Sequence, residues 1–233
     1  MEIQVIASGS TGNAYRISDG KTALLLDAGI PFAAIQRGLR FRIRQLSACL
    51  VTHAHSDHVR GAKELARNGI DIYISSGAAD AAGLLGHRIH RVTALQKFTV
   101  ESFEILPFDV QHDTPEPLGF FIHSTFTGER LLYFTDTYYL KYTFPGLTHI
   151  MGECNHSREG IHDSIEAGRI TTDLASRLVK SHMSVDRLEE MLKANDLSKL
   201  KQIYLLHLSD NNSRPEEFRK RIADLTGVEV FLT

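Results

Sequence analysis

The sequence predicts a layered α/β fold. Short apolar runs of strand length alternate with amphipathic stretches of helix length along its 233 residues, as expected for strands covered by helices. The sequence contains no internal repeat and no linker rich in Pro, Gly or Ser. We therefore expect residues 1–233 to form a single domain.

The first half of the chain is expected to be mainly strands. Turn residues at 8–13 and 19–20 separate the first three apolar runs, and the third run ends in the carboxylate of Asp27. An amphipathic helix is expected from Val59 to Asn68, closed by Gly69. The strands predicted in this half are 2–7, 13–18, 22–27, 46–52 and 71–75.

The second half of the chain contains both element types. Strands are predicted at 103–110, 118–124, 130–135, 202–206 and 228–232. Before the last two strands, apolar residues recur with helical spacing: Leu174, Leu178, Val185, Leu188, Met191 and Leu192. The segment Ser213 to Glu216 resembles a capping box that opens a final helix.

Composition limits the class of protein. The net charge of −2 argues against a globally basic nucleic-acid binder. Cys49 and Cys154 are the only cysteines, and two isolated cysteines suit a reducing compartment. The N-terminus lacks a basic segment followed by an apolar one, and no apolar run approaches membrane-spanning length. We expect a soluble cytoplasmic protein.

Three histidines and one aspartate crowd residues 53–58, directly after an apolar strand. Burying such groups costs free energy unless they are paired or bound, so the run predicts metal binding. His53 and His55 lie two residues apart and point to one side of an extended segment, while Asp57 and His58 follow one turn later. This arrangement predicts two adjacent metal ions; a polar surface loop is the alternative.

Two metals need more ligands than this run supplies, and other strand ends supply them. His112 follows the apolar segment 105–110, Asp136 follows 131–135 and His207 follows 203–206. A single polar residue at a strand end is ordinarily a hydrogen-bonded surface or core residue. Three such residues, each at a strand end, strengthen the prediction of a dinuclear site.

These motifs resemble the metallo-β-lactamase-fold hydrolases, whose five motifs occur in this chain in order: Asp27, the run 53–58, His112, Asp136 and His207. The resemblance implies an αββα sandwich with the metals at one edge. It assigns one metal to His53, His55 and His112. It assigns the second to Asp57, His58 and His207, with Asp136 bridging the two metals and Asp27 supporting the ligand loop.

Four short segments of the sequence are similar to those of the YycJ/WalJ-type hydrolases: 7–14, 111–117, 153–156 and 207–212. That family is nuclease-like and acts on DNA, so the resemblance implies phosphodiester hydrolysis, most simply by an exonuclease. Phosphodiesterases of this fold pair a Glu and a His to protonate the leaving group, and Glu153 and His182 occupy the matching places. Asn155 and His156 are expected to support the ligands or contact substrate.

The predicted chemistry follows from two adjacent metals. They lower the pKa of a shared water, so the expected nucleophile is a metal-bridged hydroxide, hydrogen-bonded to Asp57. Five imidazoles suit Zn²⁺, and the carboxylates also accommodate Mn²⁺. Hydrolysis of a small cyclic nucleotide is the alternative activity. Hydrolysis of lactams, thioesters or lactones and a non-catalytic scaffold role are further alternatives.

Substrate binding is the least specified feature. Only 45 residues separate Asp136 from His182, too few for an inserted clamp domain, so a homodimer pairing through segment 156–180 is one hypothesis. The partner is expected to be a nucleic acid or nucleotide, not a membrane. The arginines between 37 and 44 suit phosphate contact, although a charge run is usually a solvated face.

Overall fold

The structure is a computed structural model that describes residues 1–209 and 211–233. The chain divides into two compact units. The first comprises 1–109 and 114–129, and the second comprises 110–113 and 130–233. That the chain forms a single domain stays a prediction.

The first unit contains a six-stranded sheet whose strands follow one another in chain order. Neighbouring strands pair antiparallel from the first to the third and parallel from the third to the sixth, so the carboxyl ends of the parallel strands meet at one edge. The strands are β1 (Glu2–Ala7), β2 (Ala14–Ser18), β3 (Ala23–Leu26), β4 (Ala48–Leu50), β5 (Asp71–Ser75) and β6 (Ile89–Val92).

A second group of strands in this unit is antiparallel. The strands are β7 (Phe98–Val100), β8 (Phe103–Asp109) and β9 (Leu118–Ser124). Strands β6 and β7 carry no clear alternation and were not predicted. The apolar side chains of β3 and β4 are fully buried, which fixes the loops that follow these two strands.

The helices of the first unit are short: α1 (Phe32–Gly38), α2 (Ser56–Val59), α3 (Ala62–Arg67) and α4 (Ser76–Ala81). The predicted helix from Val59 to Asn68 is wrong in its bounds, because the chain forms two helices that divide at Gly61. The Gly61 N–H donates to the carbonyl of Ala28 at 2.7 Å, and a Cβ there would lie 2.7 Å from the carbonyl oxygen of Ile30. This tertiary contact divides the helix.

The second unit contains four parallel strands, β10 (Arg130–Phe134), β11 (His149–Glu153), β12 (Gln202–Leu206) and β13 (Glu229–Leu232), paired in that order. Its helices are α5 (Arg158–Glu166), α6 (Thr172–Ser181), α7 (Val185–Ala194) and α8 (Pro215–Thr226). Strand β11 is fully buried and was not predicted, because a histidine, a glycine and a glutamate interrupt its apolar pattern.

The predicted capping box is wrong. Helix α8 begins after Arg214 without a side-chain cap, and Pro215 occupies its first turn. The hydroxyl of Ser213 donates instead to the carbonyl of Ser209 at 2.6 Å. In the described parts of the chain, before and after residue 210, no helix is long and apolar enough to cross a membrane.

Candidate metal centre and catalytic pair

The first cluster of candidate ligands lies after β3 and β4. The carboxylate of Asp27 accepts hydrogen bonds from the Thr52 N–H at 2.8 Å and the Thr52 hydroxyl at 3.0 Å. Its other oxygen lies 2.8 Å from Nδ1 of His58, where an N–H donates to it. Asp27 therefore fixes the orientation of the His58 ring through Nδ1, as a carboxylate behind a metal-binding histidine does.

Three imidazoles of this cluster lie against one another. The ring centroid of His53 is 4.9 Å from that of His55 and 4.2 Å from that of His58. Nδ1 of His53 lies 3.0 Å from the hydroxyl of Thr52, so Thr52 orients a second ring. His53 and His58 are buried. Their Nδ1 atoms are engaged by Thr52 and Asp27, which makes Nε2 the natural ligand atom of each ring.

The second cluster lies at the carboxyl ends of β10, β11 and β12 and of helix α6. Asp136, Glu153, His182 and His207 each place a possible ligand atom within 4.8 Å of the others. Nδ1 of His207 lies 2.7 Å from Oδ1 of Asp136. Nε2 of His112 lies 4.0 Å from Oδ2 of the same aspartate. Five predicted site residues, including His112, are therefore close neighbours in the second unit.

Glu153 contacts both histidines of this cluster through hydrogen bonds. It is fully buried, and its Oε2 accepts the N–H groups of Thr137 and Met183 at 3.1 and 3.0 Å. Its Oε1 lies 2.6 Å from Nδ1 of His182 and 3.1 Å from Nδ1 of His207. Burial raises the pKa of Glu153, but His182 and these hydrogen bonds more than offset it and leave the pKa lowered. The carboxylate is therefore ionised.

The two histidines beside Glu153 hold their protons tightly. Burial lowers the pKa of His207, but the charge of Asp136 outweighs this and raises the pKa to about 10. For His182 burial likewise lowers the pKa, and the charge of Glu153 leaves it raised above the usual value. The side chain of His182 is 16% exposed and that of His207 only 8%, so His182 is the more accessible proton donor.

Asn155 and His156 lie beside the second cluster. The side-chain amide of Asn155 donates to the carbonyl of His207 at 2.9 Å and so holds the backbone of that candidate ligand. His156 is buried, and burial lowers its pKa to about 4. His156 is therefore neutral near pH 7 and is not an acid like His182.

Three candidate residues share a backbone conformation that the sequence did not signal. Asp27, Asp136 and His207 have φ angles of 55°, 49° and 53°, in the left-handed region that costs a residue with a Cβ about 1–2 kcal/mol. Each follows a buried strand, β3, β10 or β12. Strain of this kind concentrates at functional sites, which supports a functional role for these three positions.

Two residues that support the candidate ligands were not predicted from the sequence. Thr52 joins Asp27 to His53, and Asn13 is 1% exposed with its amide nitrogen 3.1 Å from Nε2 of His58 and 3.0 Å from the carbonyl of Gly9. Thr52 ends the predicted strand that delivers the histidines, so its position was the available signal. For Asn13 the signal was its place in a Gly-rich turn.

The donor chemistry of both clusters fits divalent metal ions. Imidazole nitrogens and carboxylate oxygens suit zinc and manganese. In the first cluster, hydrogen bonds at Nδ1 fix the rings and leave Nε2 for a metal. In the second cluster, two buried carboxylates lie beside protonated histidines, and a bound cation would replace protons there. Which residue binds which ion stays a prediction.

The comparisons with known proteins identify the family. The family model for the Beta-lactamase superfamily domain matches residues 22–208. The chain belongs to this superfamily. It is 29% identical to exodeoxyribonuclease YycJ of Bacillus anthracis over 97% of this chain and 89% of that protein. It is 30% identical to exodeoxyribonuclease WalJ of Streptococcus pneumoniae serotype 2 over 91% of this chain and 83% of that protein.

Solved structures agree on the fold. The metallo-β-lactamase fold protein YhfI of Bacillus subtilis superposes with a TM-score of 0.72 at 17% identity, over 99% of this chain and 95% of that one. The short form of human tRNase Z superposes with a TM-score of 0.64 at 15% identity, over 100% and 96%. The predicted two-sheet metallo-β-lactamase fold, the superfamily and the hydrolase class are confirmed. No inserted domain occurs between Asp136 and His182, a stretch that the structure describes completely.

Proposed function

We propose that this hydrolase is a metal-dependent DNA exonuclease. The observation that carries the proposal is the Glu153–His182 pair, in which a buried carboxylate holds an accessible, protonated imidazole. The alkoxide that leaves a nucleic-acid phosphodiester needs a proton, and such an imidazole is suited to donate it. The similarity to two bacterial exodeoxyribonucleases supports DNA as the substrate.

The proposed metal ligands are those implied by the superfamily motifs. One ion would be held by His53, His55 and His112. The other ion would be held by Asp57, His58 and His207. Asp136 would bind both ions. When bound, two divalent ions supply Lewis acidity and lower the pKa of a water molecule. We propose Zn²⁺, with Mn²⁺ as the alternative, because the donor set is rich in imidazole.

The protein's own groups have distinct proposed roles. Glu153 accepts the hydrogen bond from Nδ1 of His182, which leaves Nε2 of that ring to donate a proton to the leaving oxygen. Asp57 is partly exposed and would accept a hydrogen bond from the attacking water, which orients it. Asn155 acts through the backbone of His207, and Asp27 acts through the ring of His58.

Location and assembly are also proposals. DNA as substrate and two buried, free cysteines suit the reducing bacterial cytoplasm. We propose a homodimer through segment 156–180, because Leu174 and Val179 of α6 are 43% and 51% exposed. Sedimentation velocity is expected to show a dimer that Leu174→Lys with Val179→Lys dissociates; a monomeric wild-type protein would refute this assembly.

The proposed activity is tested by comparing linear with circular DNA of the same sequence. An exonuclease needs a strand end, so we expect the metal-loaded protein to release mononucleotides from the linear strand and to leave the circle intact. His53→Ala serves as the control for contaminating nucleases. Cleavage of the circle would show an endonuclease, and no cleavage of either form would refute the proposal.

A further inference from the structure

Residues 37–44 form a basic surface, the arginine patch, which consists of Arg37, Arg40, Arg42 and Arg44. All four side chains are exposed. Within residues 1–209 and 211–233, none of the four makes an ion pair or a side-chain hydrogen bond. The patch lies in the first unit and extends from Arg37, in the last turn of α1, to Arg44, which precedes β4.

The patch differs from the other surface arginines. Many of those pair with a carboxylate, as Arg91 does with Asp80 and Arg221 does with Glu189. The others that form such pairs are Arg16, Arg88, Arg177, Arg214 and Arg219. In a chain with a net charge of −2, four adjacent arginines without an acidic partner form a local positive field, which is suited to an anionic partner.

A cavity adjoins the patch. It has a volume of about 510 Å³ and is lined by residues that include Arg16, Arg40, Arg42 and Glu2. Glu2 is already paired with Arg16 at 2.9 Å, so Arg40 and Arg42 add positive charge that this glutamate does not neutralise. The cavity therefore offers guanidinium groups to an anion of the size of a phosphate group or larger.

An exposed aromatic ring stands in the middle of the patch. Phe41 is 74% exposed, although exposing a large apolar side chain is unfavourable. Arg40 and Phe41 have φ angles of 50° and 61°, so the chain adopts two successive left-handed conformations, which are rare for residues with a Cβ. The backbone thus holds the Phe41 ring outward between two arginines.

We propose that the arginine patch and Phe41 bind the uncleaved part of a single DNA strand, remote from the candidate metal ligands. Arginines that contact phosphates, combined with an aromatic ring on which a base stacks, are typical of single-strand binding. The patch is suited to a polyanion with flat, unpaired bases, and single-stranded DNA has both features. This inference rests on the proposed DNA substrate and specifies how a strand is held.

The position of the patch sets a length requirement. Leu46, beside the patch, and His53, the first candidate ligand, flank β4 within the same unit. The patch precedes β4 and the candidate ligands follow it, so a DNA strand occupies both only if it reaches from one end of β4 to the other. Strands too short to reach both ends of β4 are expected to be cleaved without contacting the patch.

The test measures binding and chemistry separately. Binding is measured with the metal-loaded full chain and a phosphorothioate 20-mer of single-stranded DNA at several salt concentrations. We expect Arg40→Ala with Arg42→Ala to weaken binding about tenfold and to reduce the slope of log affinity against log salt by about 1.4. Phe41→Ser is expected to weaken binding about tenfold without changing that slope.

Matched controls isolate the patch. Arg88→Ala with Arg91→Ala removes the same charge from the same unit and is expected to leave affinity for the 20-mer nearly unchanged. All variants are expected to hydrolyse bis(p-nitrophenyl) phosphate at the wild-type rate, because the patch contains no candidate catalytic residue.

The outcomes separate this inference from the proposed function. Unchanged affinity and salt slope in the double patch variant would overturn the inference, even if DNA is degraded. Wild-type binding of polyglutamate in preference to the 20-mer would also overturn it and assign the patch to an acidic protein. If the patch variants lose 20-mer binding while the wild-type protein binds the 20-mer but cleaves no DNA, the inference is supported and only the exonuclease activity is refuted.

Discussion

His182 has one ring nitrogen committed to a buried carboxylate and the other available to a substrate. Glu153, with both oxygens occupied by hydrogen bonds, cannot turn away without leaving buried N–H groups unsatisfied, which costs about 1–3 kcal/mol each. The ring is therefore held in one orientation. Its raised pKa keeps the proton that a leaving alkoxide needs.

Replacing His182 is expected to affect poor leaving groups selectively. We predict that His182→Ala slows cleavage of DNA by about 10²–10⁴-fold, the usual contribution of a general acid. Hydrolysis of bis(p-nitrophenyl) phosphate should change little, because p-nitrophenolate leaves without a proton. The rates are measured on both substrates, with the metal content determined in parallel.

His162→Ala is the matched control for this prediction. His162 is exposed and pairs with Glu166 on α5, so its removal should leave both rates unchanged. Equal losses on the two substrates at normal metal content would contradict a proton-donor role for His182.

At the scale of elements, Gly29 lets two segments of the first unit approach closely. Its N–H donates to the carbonyl of Asn13, and the Asn13 N–H donates to the carbonyl of Asp57. A Cβ at Gly29 would lie 1.6 Å from that Asp57 oxygen and 2.7 Å from the Asn13 nitrogen. Any side chain there must displace the backbone of the histidine-rich run.

We predict that Gly29→Ala destabilises the protein by about 3 kcal/mol, the upper range for overpacking, and weakens metal binding. Gly9→Ala is the control, because Gly9 has open space around it and only a positive φ, which should cost about 1 kcal/mol. Urea unfolding measures the stability and chelator competition measures the affinity. Equal stability of the two variants would argue against the close contact.

Asp19 joins three segments of the first unit. Its carboxylate accepts hydrogen bonds from the hydroxyls of Ser102 and Ser124 at 2.6 and 2.7 Å and from the Thr22 N–H at 2.8 Å. Burial raises the pKa of Asp19, but these bonds more than offset it and leave the pKa lowered. The stabilisation is present above the unfolded value of about 3.9 and is lost as pH falls through the lower folded value.

We predict that Asp19→Asn reduces the free energy of unfolding at pH 7 by about 2 kcal/mol, because charge-assisted hydrogen bonds are lost. The difference from the wild-type protein should shrink as pH falls below about 4, because the carboxylate of the unfolded chain binds a proton there while the lowered pKa of the folded state resists it. Urea midpoints at pH 7 and pH 3 measure it. A difference that is the same at both pH values would contradict the assigned cause.

The sequence was most informative where chemistry and strand ends coincide. Asp27, Asp136 and His207 were predicted because each follows an apolar strand, and all three do so in the structure. Their left-handed backbones were not predictable, because no glycine marked them. Gly61 interrupts a good helical pattern through a contact distant in sequence. Strand β11 lacks an apolar pattern because a histidine, a glycine and Glu153 interrupt it. Long-range packing decides such features.

On the scale of the whole molecule, each unit carries a cluster of imidazoles and carboxylates whose buried charges a cation would balance. We predict that chelation of bound metal lowers the melting temperature by about 10 °C. Metal present at about 1,000 times its dissociation constant stabilises the folded state by about 4 kcal/mol, and each kcal/mol is worth about 2–4 °C for a chain of this size. Differential scanning calorimetry measures this change; an unchanged melting temperature would contradict structural metal binding.

The most direct test of the account follows end-labelled duplex and single-stranded DNA, beside a panel of cyclic nucleotides, during incubation with the metal-loaded protein. The account predicts stepwise loss of label from DNA, absent in His53→Ala and Asp57→Ala and abolished by chelation. Intact DNA with opened cyclic nucleotides would contradict it and assign a small-molecule phosphodiesterase, and no turnover of any substrate would point to a scaffold.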